Sequence, residues 1–287
     1  MQEASSGFPP ICSIRLFSSP ESGMFQEEGE NMPKSIMDLT IRQRMTWAAH
    51  LFKAVAYQYH RPLARSLRSL IPRDGVVVDV GAHAGQFAKL FAGMAPAGRV
   101  YAFEPGAYAL SILKHSIRWR SNVTVVPFGL SDAEGTEVLQ LPIKASGSLS
   151  FGLAHISADA TEPAKSHRIR LTTLDRFAEN ERLKQLDFIK VDIEGWEAHF
   201  LSGASKTLSR FRPPILMEVR GDALARAGAE PGWIFDSILP LGYSVFRTDE
   251  KAGYSFDDVD GYVGNADYLF VPSEKLAAFR NGLAEPV

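Results

Sequence analysis

Between residues 75 and 272, short apolar runs alternate with stretches whose apolar residues recur every three or four positions. Val76 to Val80 is β-branched and apolar except for Asp79, and it stops at Gly81. That pattern predicts a buried parallel strand. Phe87, Leu90, Phe91 and Met94 then fall at i, i+3, i+4 and i+7, a helix closed by Pro96 and Gly98. Arg99 to Glu104 is the second strand, Pro105 to Arg120 the second helix, and Val123 to Pro127 the third strand. Asp187–Asp192, Pro214–Val219, Gly242–Phe246 and Tyr268–Val271 continue the series, with a helix from Trp196 to Arg210. Seven strands alternating with helices predict an α/β, Rossmann-like, doubly wound and mostly parallel sheet. Residues 133–172 break the rhythm. Val138–Leu141, Ser148–Phe151 and Ile169–Leu171 read as short strands of an insertion on the substrate side.

Upstream of the sheet, Ile41, Met45, Ala48, Phe52, Val55 and Tyr59 follow helical spacing. Pro62 starts a second helix that carries Leu63, Leu67 and Leu70. The simplest expectation is that both apolar stripes pack on the core and leave a solvated basic face. Residues 41–73 also hold seven Lys and Arg and no acid, so a surface for an anionic lipid, a phosphate-bearing substrate or a partner is the alternative. Residues 1–34 are acidic, rich in Ser, Gly and Pro, and without periodicity, so they are expected to be a disordered tail. Residues 35–74 then form a helical extension and 75–287 the main domain.

Charge and composition narrow the class. Among 287 residues, 31 Lys and Arg face 33 Asp and Glu, so no basic excess marks a nucleic-acid binder. A single cysteine, Cys12, excludes an internal disulfide framework and a zinc site of paired cysteines. No apolar run is long enough to span a bilayer. Ile11–Phe17 is too short for a signal peptide and contains Arg15. A cytoplasmic enzyme is the expectation.

In an open α/β sheet, ligands bind at the carboxyl ends of the strands. The first strand ends in Asp79-Val-Gly81-Ala-His83-Ala-Gly85. Its glycines suit close backbone approach to a ligand. The spacing lacks the middle glycine of a dinucleotide fingerprint, which disfavours a nicotinamide-dependent oxidoreductase, the rival enzymatic reading. Glu104 closes the second strand, where a carboxylate can accept two ribose hydroxyls. Ser131 and Asp132 follow the third strand, and Asp132 can accept an exocyclic adenine amine. Asp192 and Glu194 close the fourth strand two residues apart and so share a side while the chain stays extended. Such a pair can hold an ammonium, bind a divalent cation, or split into base and stabiliser.

Val77–Gly85, Val100–Pro105, Leu130–Asp132, Thr173–Asp175 and Ile189-Lys-Val-Asp-Ile-Glu-Gly-Trp-Glu197 together resemble the FkbM-type S-adenosylmethionine-dependent methyltransferases. The resemblance covers residues 75 to 220 and differs at His83, where the family more often carries Asn. It implies methyl transfer to a hydroxyl of a sugar, glycan or secondary metabolite. It also implies that Asp79, Gly81, His83, Gly85, Glu104, Ser131, Asp132 and Asp192 form the cofactor site. Glu194, Asp192 and His155 are the candidates for taking the acceptor's proton, with Glu194 preferred as base or metal ligand; no metal site is assigned, and a divalent cation is an open alternative. A non-catalytic cofactor-binding scaffold is the remaining alternative.

Overall fold

The computed structural model describes residues 15–16, 41–142, 155–156, 164–249 and 254–284. Apart from Arg15 and Leu16, the expected tail 1–34 lies outside them, as does the expected strand Ser148–Phe151. In chain order the strands are β1 (Arg15–Leu16), β2 (Val76–Val80), β3 (Arg99–Phe103), β4 (Val123–Val126), β5 (Gly129–Leu130), β6 (Gly135–Pro142) and β7 (His155–Ile156). They continue with β8 (Ala164–Thr172), β9 (Phe188–Val191), β10 (Ile215–Val219), β11 (Tyr243–Asp249), β12 (Ser255–Val259) and β13 (Ala266–Pro272).

The main sheet has the order β1-β4-β3-β2-β9-β10-β13-β11-β12. Its seven central strands are those expected from the apolar runs. β4, β3, β2, β9 and β10 are mutually parallel, and β13 runs antiparallel between β10 and β11. The two outermost strands extend this set: β1 beside β4, and β12 as the hairpin partner of β11.

Strand alternation sorts the core into two layers. Val78, Val80, Ile189, Val191 and Met217 point into one, and Val77, Val100, Phe188 and Leu216 into the other. Asp79 and Lys190 are register partners on β2 and β9 and face the second layer. They lie beneath α3 (Gln86–Met94). By the same alternation Asp192 and Glu218 continue that face towards the carboxyl edge.

The helix expected from Trp196 to Arg210 is two helices, α6 (Glu197–Ser202) and α7 (Ser205–Phe211). A Cβ at Gly203, between them, would lie 1.9 Å from the Ser131 carbonyl oxygen, so the backbones touch there. Asp175, at the start of α5 (Leu174–Asn180), accepts the N–H groups of Lys206 and Thr207 and satisfies the exposed donors of α7.

The insertion forms a second sheet of order β5-β8-β6-β7 around Leu139, Ile169 and Leu171.

One expectation is reversed. In α1 (Ile41–Ala56) the stripe of Ile41, Met45, Phe52 and Val55 faces solvent, as does Tyr59 beyond it. Trp47, Leu51 and Ala54 pack instead on Tyr108 and Ile112 of α4 (Ala107–Ser116). Trp47 Nε1–H donates to Ser111 Oγ at 2.9 Å, and His50 meets the Tyr108 hydroxyl at 3.1 Å. Polar contacts and one indole decide the docked side, which apolar periodicity alone does not register. Leu63, Leu67 and Leu70, in and just after α2 (Leu63–Ser66), are buried as expected.

Candidate active site

The carboxyl ends of β2, β3, β9 and β10 open onto a cavity of about 400 Å³. Gly81, His83, Glu104, Asp192 and Glu194 line it, five of the residues singled out in the sequence. Gly81 and His83 both have positive φ, 75° and 46°. A Cβ at Gly81 would lie 1.9 Å from the Asp192 carbonyl oxygen, so glycine is what lets β2 and β9 meet at the cavity floor. Gly85, at φ 84°, does not line the cavity; it seats the loop against Leu113 and Ser116 of α4.

Glu104 fixes that loop. One carboxylate oxygen accepts the His83 N–H and the other accepts the Gly106 N–H, both at 2.8 Å. Each oxygen keeps a lone pair for a further donor. Burial pushes the Glu104 carboxyl up to about 7, against the lowering effect of the two N–H donors.

Below Gly81 lies a charge network, buried at Asp79 and Lys190 and partly open at Asp192, that the sequence reading only half captured. Lys190 Nζ–H donates to the Gly81 carbonyl and to Asp192 Oδ2, each at 3.2 Å, and stands 3.9 Å from Asp79 Oδ1. It also sits over the Phe87 ring at 5.0 Å. Burial opposes the lysine's charge, but Asp192 and Asp79 outweigh it and hold Lys190 above its ordinary value. Asp79 is fully buried and does not line the cavity. Burial raises it to about 6 despite Lys190. Burial also disfavours the charge of Asp192, yet Lys190 holds that carboxyl below the usual range. A lysine inside an apolar strand is the signal that marks this residue.

Glu218 was missed, although it stands one residue before the end of β10 and Asp192 directly follows β9. One oxygen each of Asp192, Glu194 and Glu218 lie within 4.8 Å of one another. Burial, then the Asp192 charge, push Glu218 up to about 8, and the two share a hydrogen bond. Glu194 has φ 55° and is raised to about 7, by burial and then by Asp192, with Arg220 and Arg226 pulling the other way. Its turn is held by buried Glu197, whose Oε1 accepts the N–H groups of Ile193 and Gly195 at 3.2 Å.

Ser131 and Asp132 stand behind the cavity wall. Trp196, which lines the cavity, donates its Nε1–H to Ser131 Oγ at 2.9 Å, and Ser131 Oγ–H donates to Asp132 Oδ1 at 2.8 Å. The Asp132 side is exposed and outside the lining. His155 belongs to β7, the edge strand of the small sheet, where its register partner is Gln140 of β6. Leu139 and Ile169 of that sheet do reach the cavity, as does His60 from the segment after α1.

Three buried carboxyls, Asp79, Glu104 and Glu197, bind protons more tightly in the folded chain than in the unfolded one. Folding takes up protons, so the stability they contribute is complete below pH 4 and is lost as pH rises through about 6 to 7. Thermal melting of the ligand-free protein is expected to fall by at least about 3 °C between pH 5 and pH 8. Glu104→Gln should flatten that slope, and a melting temperature that rises over the window would contradict the assignment.

The methyltransferase FkbM domain family matches residues 79–270. The chain belongs to that family. A curated relative, the AMB antimetabolite synthetase AmbE of Pseudomonas aeruginosa, is 29% identical over 238 residues, which cover 72% of this chain and 11% of AmbE. The chain thus spans about a ninth of that relative's length. Among solved structures, the methyltransferase FkbM from Methylobacillus flagellatus is 17% identical with a TM-score of 0.44, over 80% of this chain and 59% of that one. The O-methyltransferase from Bacillus cereus, in complex with SAH, is 15% identical with a TM-score of 0.42, over 82% and 93%.

Proposed function

We propose that the protein is an S-adenosylmethionine-dependent O-methyltransferase acting on a hydroxyl of a sugar, glycan or small metabolite. The observation that carries this reading is one continuous cavity joining two unlike ends: Glu104 beside the positive-φ loop, and the three carboxylates Asp192, Glu194 and Glu218. The residues present fit the cofactor. Glu104 has lone pairs left for a ribose diol, the Gly81–Gly85 loop admits close backbone approach, and the anionic Asp192 suits an ammonium. S-adenosylmethionine, when bound, supplies a methyl group on a sulfonium.

The chain's own contribution is alignment and proton removal. Glu194, at the cavity edge, takes the acceptor hydroxyl proton on its carboxylate. Asp192 stays ionised because Lys190 is charged beside it. Glu218, protonated near neutrality, shields Glu194 from a third negative charge. A relative named as an antimetabolite synthetase agrees with a small-metabolite acceptor. The nicotinamide alternative finds no support in the family match.

Calorimetry with S-adenosylhomocysteine and with NAD, followed by mass spectrometry of a hydroxyl-bearing acceptor panel with labelled cofactor, tests the reading. Binding of S-adenosylhomocysteine alone and a label on oxygen are expected. Absence of S-adenosylhomocysteine binding would overturn it, and binding without transfer to any acceptor would favour the scaffold alternative.

A further inference from the structure

The outward stripe of α1 is unusual for a helix whose other face is well docked. Ile41 is 80% exposed, Met45 70%, Phe52 64% and Val55 54%. Tyr57 and Tyr59 extend the stripe beyond the helix, more than half exposed. Phe52, Tyr57 and Tyr59 form one aromatic cluster, with ring centroids 6.3 and 5.8 Å apart. A contiguous apolar patch of this kind marks an interaction surface.

Charge selects the occupant. Lys53, Arg61, Arg65 and Arg68 are exposed, and residues 41–73 contain no acid to balance them. A second copy meeting this face through a two-fold axis would bring the same bases against it with no acid in either segment, so that contact is repelled. An anionic bilayer supplies both missing partners. Its outer acyl region accepts Ile41, Met45, Phe52 and Val55, its headgroup level suits tyrosine, and its phosphates attract lysine and arginine. At 16 residues α1 is too short to cross a bilayer, and no described helix is long and apolar enough to do so.

The patch also adjoins the cavity. His60, next to Tyr59, lines the cavity, stacks on Phe87 at 4.1 Å and meets the Tyr254 hydroxyl at 2.6 Å. Lys89 and Gln86 of α3 hold the Ala54 carbonyl from below.

We propose that α1, with Tyr57 and Tyr59, is an in-plane anchor that seats the protein on an anionic membrane surface. The proposal stands apart from the methyl-transfer reading and is tested without it. The full chain is pelleted with phosphatidylcholine vesicles, with and without phosphatidylglycerol, at low and high salt. Binding is expected with phosphatidylglycerol, at least about tenfold weaker with phosphatidylcholine alone, and lost at high salt. A Met45→Asp, Phe52→Asp double variant is expected to partition at least about tenfold less while melting normally, since both side chains are exposed.

Equal pelleting with both vesicle types, or no pelleting, overturns the proposal. So does a dimer in analytical ultracentrifugation that the double variant dissolves, because a second copy then covers the patch. Binding that appears only when residues 1–40 are removed also overturns it, because the chain's own acidic segment is then the occupant.

Discussion

Glu194→Gln is expected to lower the turnover number by roughly 10²–10⁴-fold, the range for loss of a general base. Affinity for S-adenosylhomocysteine should stay close to that of the parent. The amide keeps the shape and the turn held by Glu197 but cannot take the acceptor's proton. Because the Glu194 carboxyl lies at about 7, the parent rate should rise with pH as that group ionises and level off above it. The variant should lose this dependence. Turnover with chelator separates the two roles open to this carboxylate. A base is indifferent to chelator, whereas a cation held between Asp192, Glu194 and Glu218 would be stripped and its activity restored by added metal. Full activity in Glu194→Gln would remove it from the chemistry.

The second large effect is on cofactor binding. Glu104→Ala should weaken S-adenosylhomocysteine binding by about 1.5–3 kcal/mol, or roughly 10–150-fold, as for loss of charge-assisted hydrogen bonds. The structure adds a cost to this variant. The N–H groups of His83 and Gly106 lose their acceptor, so the melting temperature should fall as well. Glu104→Gln separates the two effects, because its side-chain carbonyl can still accept one N–H while the charge is gone. Calorimetry on both variants, read beside their thermal melts, checks the assignment; unchanged affinity in both would place Glu104 outside the ligand's reach.

The central sheet was legible because each strand is a short apolar run and a parallel sheet buries both of its faces. The strand ends were legible for the same reason, since a carboxylate stands out where an apolar run stops. That logic found Glu104, Asp192 and Glu194 but passed over Glu218, which lies inside β10, one residue before Val219 closes the run. Lys190 stands out only as a charge inside an apolar run; its partner is set by register, since β2 and β9 pair so that it faces Asp79. Ser131 and Asp132 were placed by chain position near the ligand, while their contacts run to Trp196, 65 residues away from Ser131. The α1 stripe has the right period, but periodicity names a face without naming what covers it.

β13 has a consequence for how this molecule is made. The residues that carry the resemblance end near residue 220, whereas the family match runs to residue 270, and the edge of β10 that carries Glu218 is closed by residues 266–272, entering antiparallel with Glu218 opposite Asp267. Until that strand arrives, β10 is an open edge, and open apolar edges are where chains pair wrongly. A chain that ends after Val219 therefore still lacks the strand that pairs with β10 beside Glu218. Closing that edge waits for residues 266–272, so a chain cut before them is expected to leave this side of β10 unpaired and to aggregate, which light scattering of the truncated protein checks.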